Sequence, residues 1–342
     1  MLLGVLLQEP AERPAKSANK SQQEITNNTT PLNSTPEKSG LNDTVNENTS
    51  ENQNDSSGQS PSYTQKSNLT VHFIDVGQGD SILVQYANKT MLIDAGESDK
   101  AANVSAFLKE QGVSSLDFVV STHPYEDHIG GLIDIINEYP VGKFVDSGYL
   151  HTNKTYGNLL NIIENSSIPY HVAERGEALN FASGIQVQVL NPPKKLFGDV
   201  NENSVLLRLV DNNVSFLLMG DSGLETEESI MYEGYYVDSD ILKVGHHAST
   251  SASGESFIEE VNPDISIIEV GADNDYGLPH SDTLQRLQNT SMVYRTDIYG
   301  SITVTTDGLT YTVTTEKNPI EQDSTTNTTV SYPTIKVREK PK

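Results

Sequence analysis

Thr122-His-Pro-Tyr-Glu-Asp-His-Ile-Gly-Gly131 follows directly on Leu116-Asp-Phe-Val-Val-Ser121, an apolar run that reads as a buried strand. The strand is predicted to end at His123. A short proline-containing loop follows, and Asp127-His128 open a helix predicted over residues 129–138, with Ile129, Leu132, Ile133 and Ile136 on one face. Imidazoles and a carboxylate gathered where a strand hands over to a helix, without a thiolate, suit zinc or manganese.

Three other apolar runs end in the same kind of delivery. Leu92-Ile-Asp-Ala-Gly96 delivers Asp94, and Phe216-Leu-Leu-Met-Gly-Asp221 delivers Asp221. Asp240-Ile-Leu-Lys-Val-Gly-His-His-Ala-Ser249 delivers His246 and His247. Four deliveries from separate places converge only in a fold that presents its strand ends on one rim. The surrounding pattern agrees. Strands are predicted at residues 71–76, 81–86 and 90–94, and a helix at 101–111. Further on, strands at 205–210 and 214–219 precede a helix at 224–232, a strand at 241–244, a helix at 257–261 and a strand at 265–270. A hairpin at 301–305 and 309–313 closes the series. Strands, then strand–helix alternation, carried out twice, predict an α/β (α+β) fold of two mixed sheets facing each other with helices outside.

Composition bounds the rest. The 342 residues are 35% hydrophobic and contain neither cysteine nor tryptophan, which excludes a disulfide scaffold, an Fe–S cluster and a cysteine nucleophile. No 18-residue apolar run exists, so no membrane span is predicted. Residues 67–316 hold 12 Lys+Arg against 36 Asp+Glu, a net charge of -24 in a chain whose total is -25. A broad electrostatic grip on nucleic acid needs the opposite sign, so any polyanion has to be held locally. Residues 1–66 are rich in Asn, Ser, Thr and Gln and read as a disordered linker, behind an apolar stub (Met1–Leu7) that suggests a remnant of an export signal. Residues 317–342 read as a disordered tail, leaving 67–316 as the folded domain. Asn-x-Ser/Thr triplets recur from Asn27 to Asn289, and with the stub they favour an extracellular or cell-surface location over the cytoplasm.

These strings together, with Asp75-Val-Gly-Gln-Gly-Asp80, Asn203-Ser204 and Tyr294-Arg-Thr-Asp297, resemble the metallo-β-lactamase superfamily. Within it they resemble the hydrolase-like domain of ComEC-type DNA-uptake proteins, over roughly residues 69–315. The resemblance implies a four-layer αββα sandwich with one or two Zn²⁺ or Mn²⁺ ions. His123 would hold the first ion, and Asp127 with His128 the second. Asp221 would bridge them, and His247, or His246 beside it, would be the late ligand. Asp94 and Asp80 would support the ligands. Two departures are apparent: Tyr125 stands where the superfamily has its second histidine, and Asn203-Ser204 where it has its middle one. Tyr125 is expected to pack rather than ligate.

A divalent ion lowers the pKa of water and makes hydroxide available near neutrality. Asp127 is expected to accept that proton, and His280, just before a helix, to serve a leaving group or an anion. Lys243 and Asn203 are expected to meet substrate. His72, His151 and His171 carry no pattern and are read as structural. The expected function is a metal-dependent phosphodiesterase or nuclease acting on single-stranded DNA. The alternatives are a hydrolase of small lactones, thioesters or phosphoesters, and a surface module that has lost efficient catalysis.

Overall fold

The computed structural model describes residues 67–318 together with 335 and 336. The linker, the apolar stub and most of the tail assigned above lie outside these residues.

The first half of the described chain builds β1 (Leu69–Phe73), β2 (Ile82–Tyr86), β3 (Lys89–Ile93), α1 (Ala101–Glu110), β4 (Phe118–Ser121), α2 (Glu126–Ile129), α3 (Leu132–Glu138), β5 (Phe144–Asp146), α4 (Lys154–Asn165) and β6 (Tyr170–Val172). The second half builds β7 (Gln186–Asn191), β8 (Leu206–Asp211), β9 (Val214–Leu218), α5 (Leu224–Tyr232), β10 (Ile241–Lys243), α6 (Glu255–Val261), β11 (Ile265–Ile268), α7 (Ser281–Thr290), β12 (Met292–Arg295), α8 (Thr296–Tyr299), β13 (Ile302–Thr306), β14 (Thr310–Thr315) and β15 (Ile335–Lys336).

Among the described residues these strands form a nine-stranded sheet, ordered β15-β14-β13-β1-β2-β3-β4-β5-β6, and a six-stranded sheet, ordered β12-β11-β10-β9-β8-β7. Both are mixed. In the first sheet β3, β4, β5 and β6 run parallel; in the second β9, β10, β11 and β12 do.

Period-two alternation sorts side chains into layers. Met91 and Ile93 of β3 and Val120 of β4 join Phe216, Leu218, Ile241 and Ile265 of the other sheet in one core between the sheets. The intervening Leu92 and Val119 face away, onto Val104, Leu108, Leu132, Ile135, Leu159 and Ile163 of α1, α3 and α4. Leu217, Leu242 and Ile268 do the same against Ile230, Phe257, Ile258 and Leu287 of α5, α6 and α7. Helix, sheet, sheet, helix: the four-layer αββα sandwich is present. No helix among the described residues is long and apolar enough to cross a membrane.

Several local expectations need correction. The strand leading to His123 ends at Ser121, so His123 lies in the loop. The helix expected over 129–138 is two pieces, α2 and α3, parted at Gly130-Gly131. A Cβ on either glycine would lie 2.4 Å from Ser98 N or 2.3 Å from Ala95 O, so only glycine lets this backbone approach β3's exit. The break shifts α3's buried face to Leu132, Ile135 and Ile136, and leaves Ile133 half-buried. Helix α4, strand β7 and the short strands β5, β6 and β12 lie outside the elements expected from the sequence. β15 lies inside the expected tail and pairs with β14 through Tyr311↔Ile335.

Candidate metal centre

In open α/β sheets ligands bind beyond the carboxyl ends of parallel strands, and here both parallel halves open on the same rim. β3 exits into Asp94, β4 into Thr122-His123, β9 into Met219-Gly220-Asp221, β10 into Val244-Gly245-His246-His247 and β11 into Glu269. Asp127 and His128 come from α2. The turn after β10 is unusual: His246, His247 and Ala248 all take left-handed backbone, with φ of 46°, 50° and 63°.

The imidazoles surround Asp221. His128 Nε2 lies 3.4 Å from its Oδ2, His247 Nε2 3.4 Å from its Oδ1, and His123 Nε2 3.7 Å from its Oδ2. Asp127 Oδ2 stands 3.8 Å from His128 Nε2 and 3.7 Å from His247 Nε2. His246 Nε2 is 3.8 Å from Asp221 on the more open side. Among the described residues three overlapping groups have donor atoms within 4.8 Å of one another: His123–His128–Asp221, Asp127–His128–His247 and, behind them, Asp80–Asp94–His128. The structure therefore puts His128 in all three groups, not with Asp127 alone.

Each imidazole is oriented from behind. His128 Nδ1 lies 2.8 Å from Asp94 Oδ2; the Asp94 carboxylate also accepts from the Thr122 N–H and hydroxyl, at 2.8 and 2.6 Å. His247 Nδ1 lies 2.8 Å from the Glu269 carbonyl, and His123 Nδ1 3.1 Å from Thr122 Oγ1. These contacts leave the Nε2 atoms of His123, His128 and His247 and Oδ1 of Asp221 buried without a hydrogen-bond partner, the three imidazole nitrogens each within 3.7 Å of the Asp221 carboxylate. Buried polar atoms are almost always paired, so four orphans around the Asp221 carboxylate could serve as donors to a cation, and nitrogen with carboxylate oxygen suits a divalent transition metal.

The electrostatics agree. Burial, reinforced by His128 nearby, pushes His123 down to about 3, which keeps its lone pair free. Burial opposes charge on Asp221, but His247 and His128 outweigh it and hold the carboxyl well below its usual range. Asp127 is brought to about 2: burial works against its charge, and His128 and His247 overcome it. His128 is raised well above the usual histidine value because Asp221 and Asp127 more than offset burial. A cation entering such a site displaces the histidine protons.

The other expected residues divide. Asp94 touches a candidate ligand directly. Asp80 Oδ1 lies 3.4 Å from His247 Nδ1. Tyr125 packs edge-on to His123, ring centroids 5.2 Å apart, and faces the open cleft. Three expectations fail. Lys243 does not meet substrate: it is 0% exposed, because Asp80 and Glu269 enclose its Nζ at 2.7 and 3.9 Å. Asn203 is also buried, and its amide is consumed by Phe197 N–H and by the carbonyls of Phe197 and Asp199, shaping that loop. His280 caps the start of α7, where its Nδ1 accepts from Thr250 N–H at 3.0 Å, and it does not line the cleft. His151, read as structural, does line it, beside Tyr125. Glu269 was missed as well, although Ile265-Ser-Ile-Ile-Glu269 carries the same strand-end signal as Asp221.

The profile of the metallo-beta-lactamase superfamily matches residues 74–271, and the chain belongs to that superfamily, as a hydrolase of its fold. The chain is 31% identical over 252 residues to ComE operon protein 3 of Bacillus subtilis, covering 68% of this chain and 32% of that protein. It is 26% identical over 245 residues to Recombination protein 2 of Haemophilus influenzae (70% and 29% covered). To Competence protein ComA of Neisseria gonorrhoeae it is 29% identical over 245 residues (71% and 33% covered). The chain thus spans about a third of the length of these curated relatives.

Proposed function

We propose that this chain is a metal-dependent phosphodiesterase acting on single-stranded DNA, with His123, Asp127, His128, Asp221 and His247 holding one or two Zn²⁺ or Mn²⁺ ions. The observation that carries the reading is the gathering of three unpartnered imidazole nitrogens within 3.7 Å of the buried Asp221 carboxylate, one of whose oxygens is itself unpartnered. A divalent ion there supplies a Lewis acid and lowers the pKa of water. Asp127, whose side chain is one quarter exposed at the cleft, takes the proton of the attacking water. As the water oxygen bonds to phosphorus, one P–O ester bond breaks and its oxygen leaves with the electron pair. His246, on the cleft side of Asp221, is the imidazole we assign to protonate it. The names of two relatives, a recombination protein and a competence protein, point the substrate towards DNA.

A second reading, a hydrolase of small esters or phosphoesters, is favoured by the -24 charge of residues 67–316 and by a cleft of only about 470 Å³. A labelled single-stranded oligonucleotide and a chromogenic phosphodiester, assayed side by side with Mn²⁺ or Zn²⁺ titration, separate the two. Cleavage of the small ester alone overturns the nuclease reading. Inertness towards both at saturating metal overturns the phosphodiesterase reading.

A further inference from the structure

Given the phosphodiesterase reading, the walls of the cleft indicate which part of a nucleic acid they grip. Among the described residues no lysine or arginine lines the cleft, whereas Glu126, Asp127 and Asp221 all do. Ions at the donor set offset these carboxylates and accommodate one scissile phosphate. The neighbouring phosphates meet no cation of the cleft. The cleft walls of the described residues therefore offer little counterion release.

Ring surface is what the cleft offers instead, from Tyr125, His151, His246 and Tyr276, with Leu278 beside them. Tyr276 is 68% exposed, yet its loop is firmly built. Asn274 Oδ1 accepts from the N–H groups of Tyr276 and Leu278, at 3.1 and 3.0 Å. Asn274 Nδ2 donates to the carbonyls of Gly271 and Leu278, at 2.9 and 2.7 Å. One side chain thus winds the loop and holds a tyrosine out at its tip. Tyr125, 36% exposed, is wedged edge-on between His123 and the His151 ring, the latter at 5.6 Å and 86°. Large exposed rings on fixed backbone at a cation-poor catalytic cleft are what a base-stacking surface requires, since every base has a π-face and stacking tolerates any sequence.

We propose that Tyr276 and Tyr125 are a stacking platform for the unpaired bases flanking the scissile phosphodiester of a single-stranded nucleic acid. The substrate is then held by its bases and one phosphate. Duplex DNA, whose base faces are hidden, is excluded, and binding falls only shallowly with salt.

The test compares a fluorescein-labelled thymidine octamer with an abasic octamer of the same phosphate count, by equilibrium anisotropy in Ca²⁺ with the full chain. The thymidine octamer is expected to bind at least about tenfold more tightly, within the roughly five- to hundredfold that stacking of one base is worth. Tyr276→Ala should erase most of that preference and Tyr276→Phe should retain it. Equal binding of the two octamers, no measurable binding of either, or a preference untouched by Tyr276→Ala overturns the platform. Cleavage is read separately, on both octamers and on a chromogenic phosphodiester in Mn²⁺. Base-dependent binding without cleavage of any diester overturns the phosphodiesterase reading alone. Cleavage without base preference overturns the platform alone.

Discussion

Lys243 Nζ sits 2.7 Å from Asp80 Oδ2, with neither side chain open to solvent, and the other oxygen of Asp80 faces His247 Nδ1 at 3.4 Å. A fixed cation is thus buried one residue behind a candidate metal ligand. Burial works against the charge on Lys243, but Asp80 and Glu269 outweigh it and hold its pKa above the ordinary lysine value. Glu269 is raised as well, far above the usual carboxylate range, by burial and by Asp80.

Breaking that pair by Lys243→Met is expected to destabilise the domain by about 3–5 kcal/mol, because the Asp80 charge stays buried without a counterion. The double variant Lys243→Met, Asp80→Asn should recover much of the loss. Urea unfolding of the four members of the cycle measures it, and additive losses would mean the pair is not coupled.

His123→Ala and Asp127→Ala are each expected to lower metal-dependent hydrolysis by more than about 100-fold. Metal content per chain should fall with His123→Ala. For Asp127→Ala, which removes a partly exposed side chain in the loop-to-helix corner, the melting temperature in chelator should stay within a few degrees of the parent. Full turnover in either variant would remove these residues from the reaction.

Gly79 has φ of 119°, and a Cβ placed there would lie 2.0 Å from the Asp127 carbonyl oxygen. Gly79→Ala should therefore cost about 2–4 kcal/mol and move α2's entry, lowering metal affinity as well. Calorimetric metal titration beside urea unfolding checks both halves; unchanged affinity would separate this backbone contact from the site.

His72 gives the stability a defined pH dependence. Burial lowers its pKa from 6.5 to about 4, while Gln85 and Thr303, both uncharged, engage its two ring nitrogens; Asp75, Glu110 and Glu316 line the groove beside it. The folded state keeps the ring neutral where the unfolded chain already binds a proton. Its contribution is thus fully present above pH 6.5 and is lost as pH falls through about 4, up to about 3 kcal/mol. The stability difference between parent and His72→Gln should shrink by that amount from pH 7 to pH 4, measured by urea unfolding.

The rim was legible in the sequence because apolar runs ending in Asp or His mark buried parallel strands and what they deliver. Layering was legible for the same reason. The substrate roles given to Lys243 and Asn203 went astray because burial depends on partners far away in the chain. Asp80 and Glu269 enclose the lysine, and the loop at 197–199 consumes the asparagine. Strands of three residues such as β5 and β6 are too short to set a period, and His151 sits in a loop where no period exists. The Asn274-wound loop could be read only from its four hydrogen bonds.

The candidate donors hang from both halves of the sandwich: His123, Asp127 and His128 from the first sheet's rim, Asp221 and His247 from the second's. On the metal-dependent reading, a cation gripped by them would act as a buckle across the seam, fastening segments that are distant along the chain and otherwise joined at this edge by loops. Withdrawing it would free an edge, while the apolar interface deeper between the sheets should stay shut. Hydrogen exchange after chelation should therefore quicken first in the turns leaving β4, β9 and β10, with the middles of those strands keeping their protection until the whole domain unfolds.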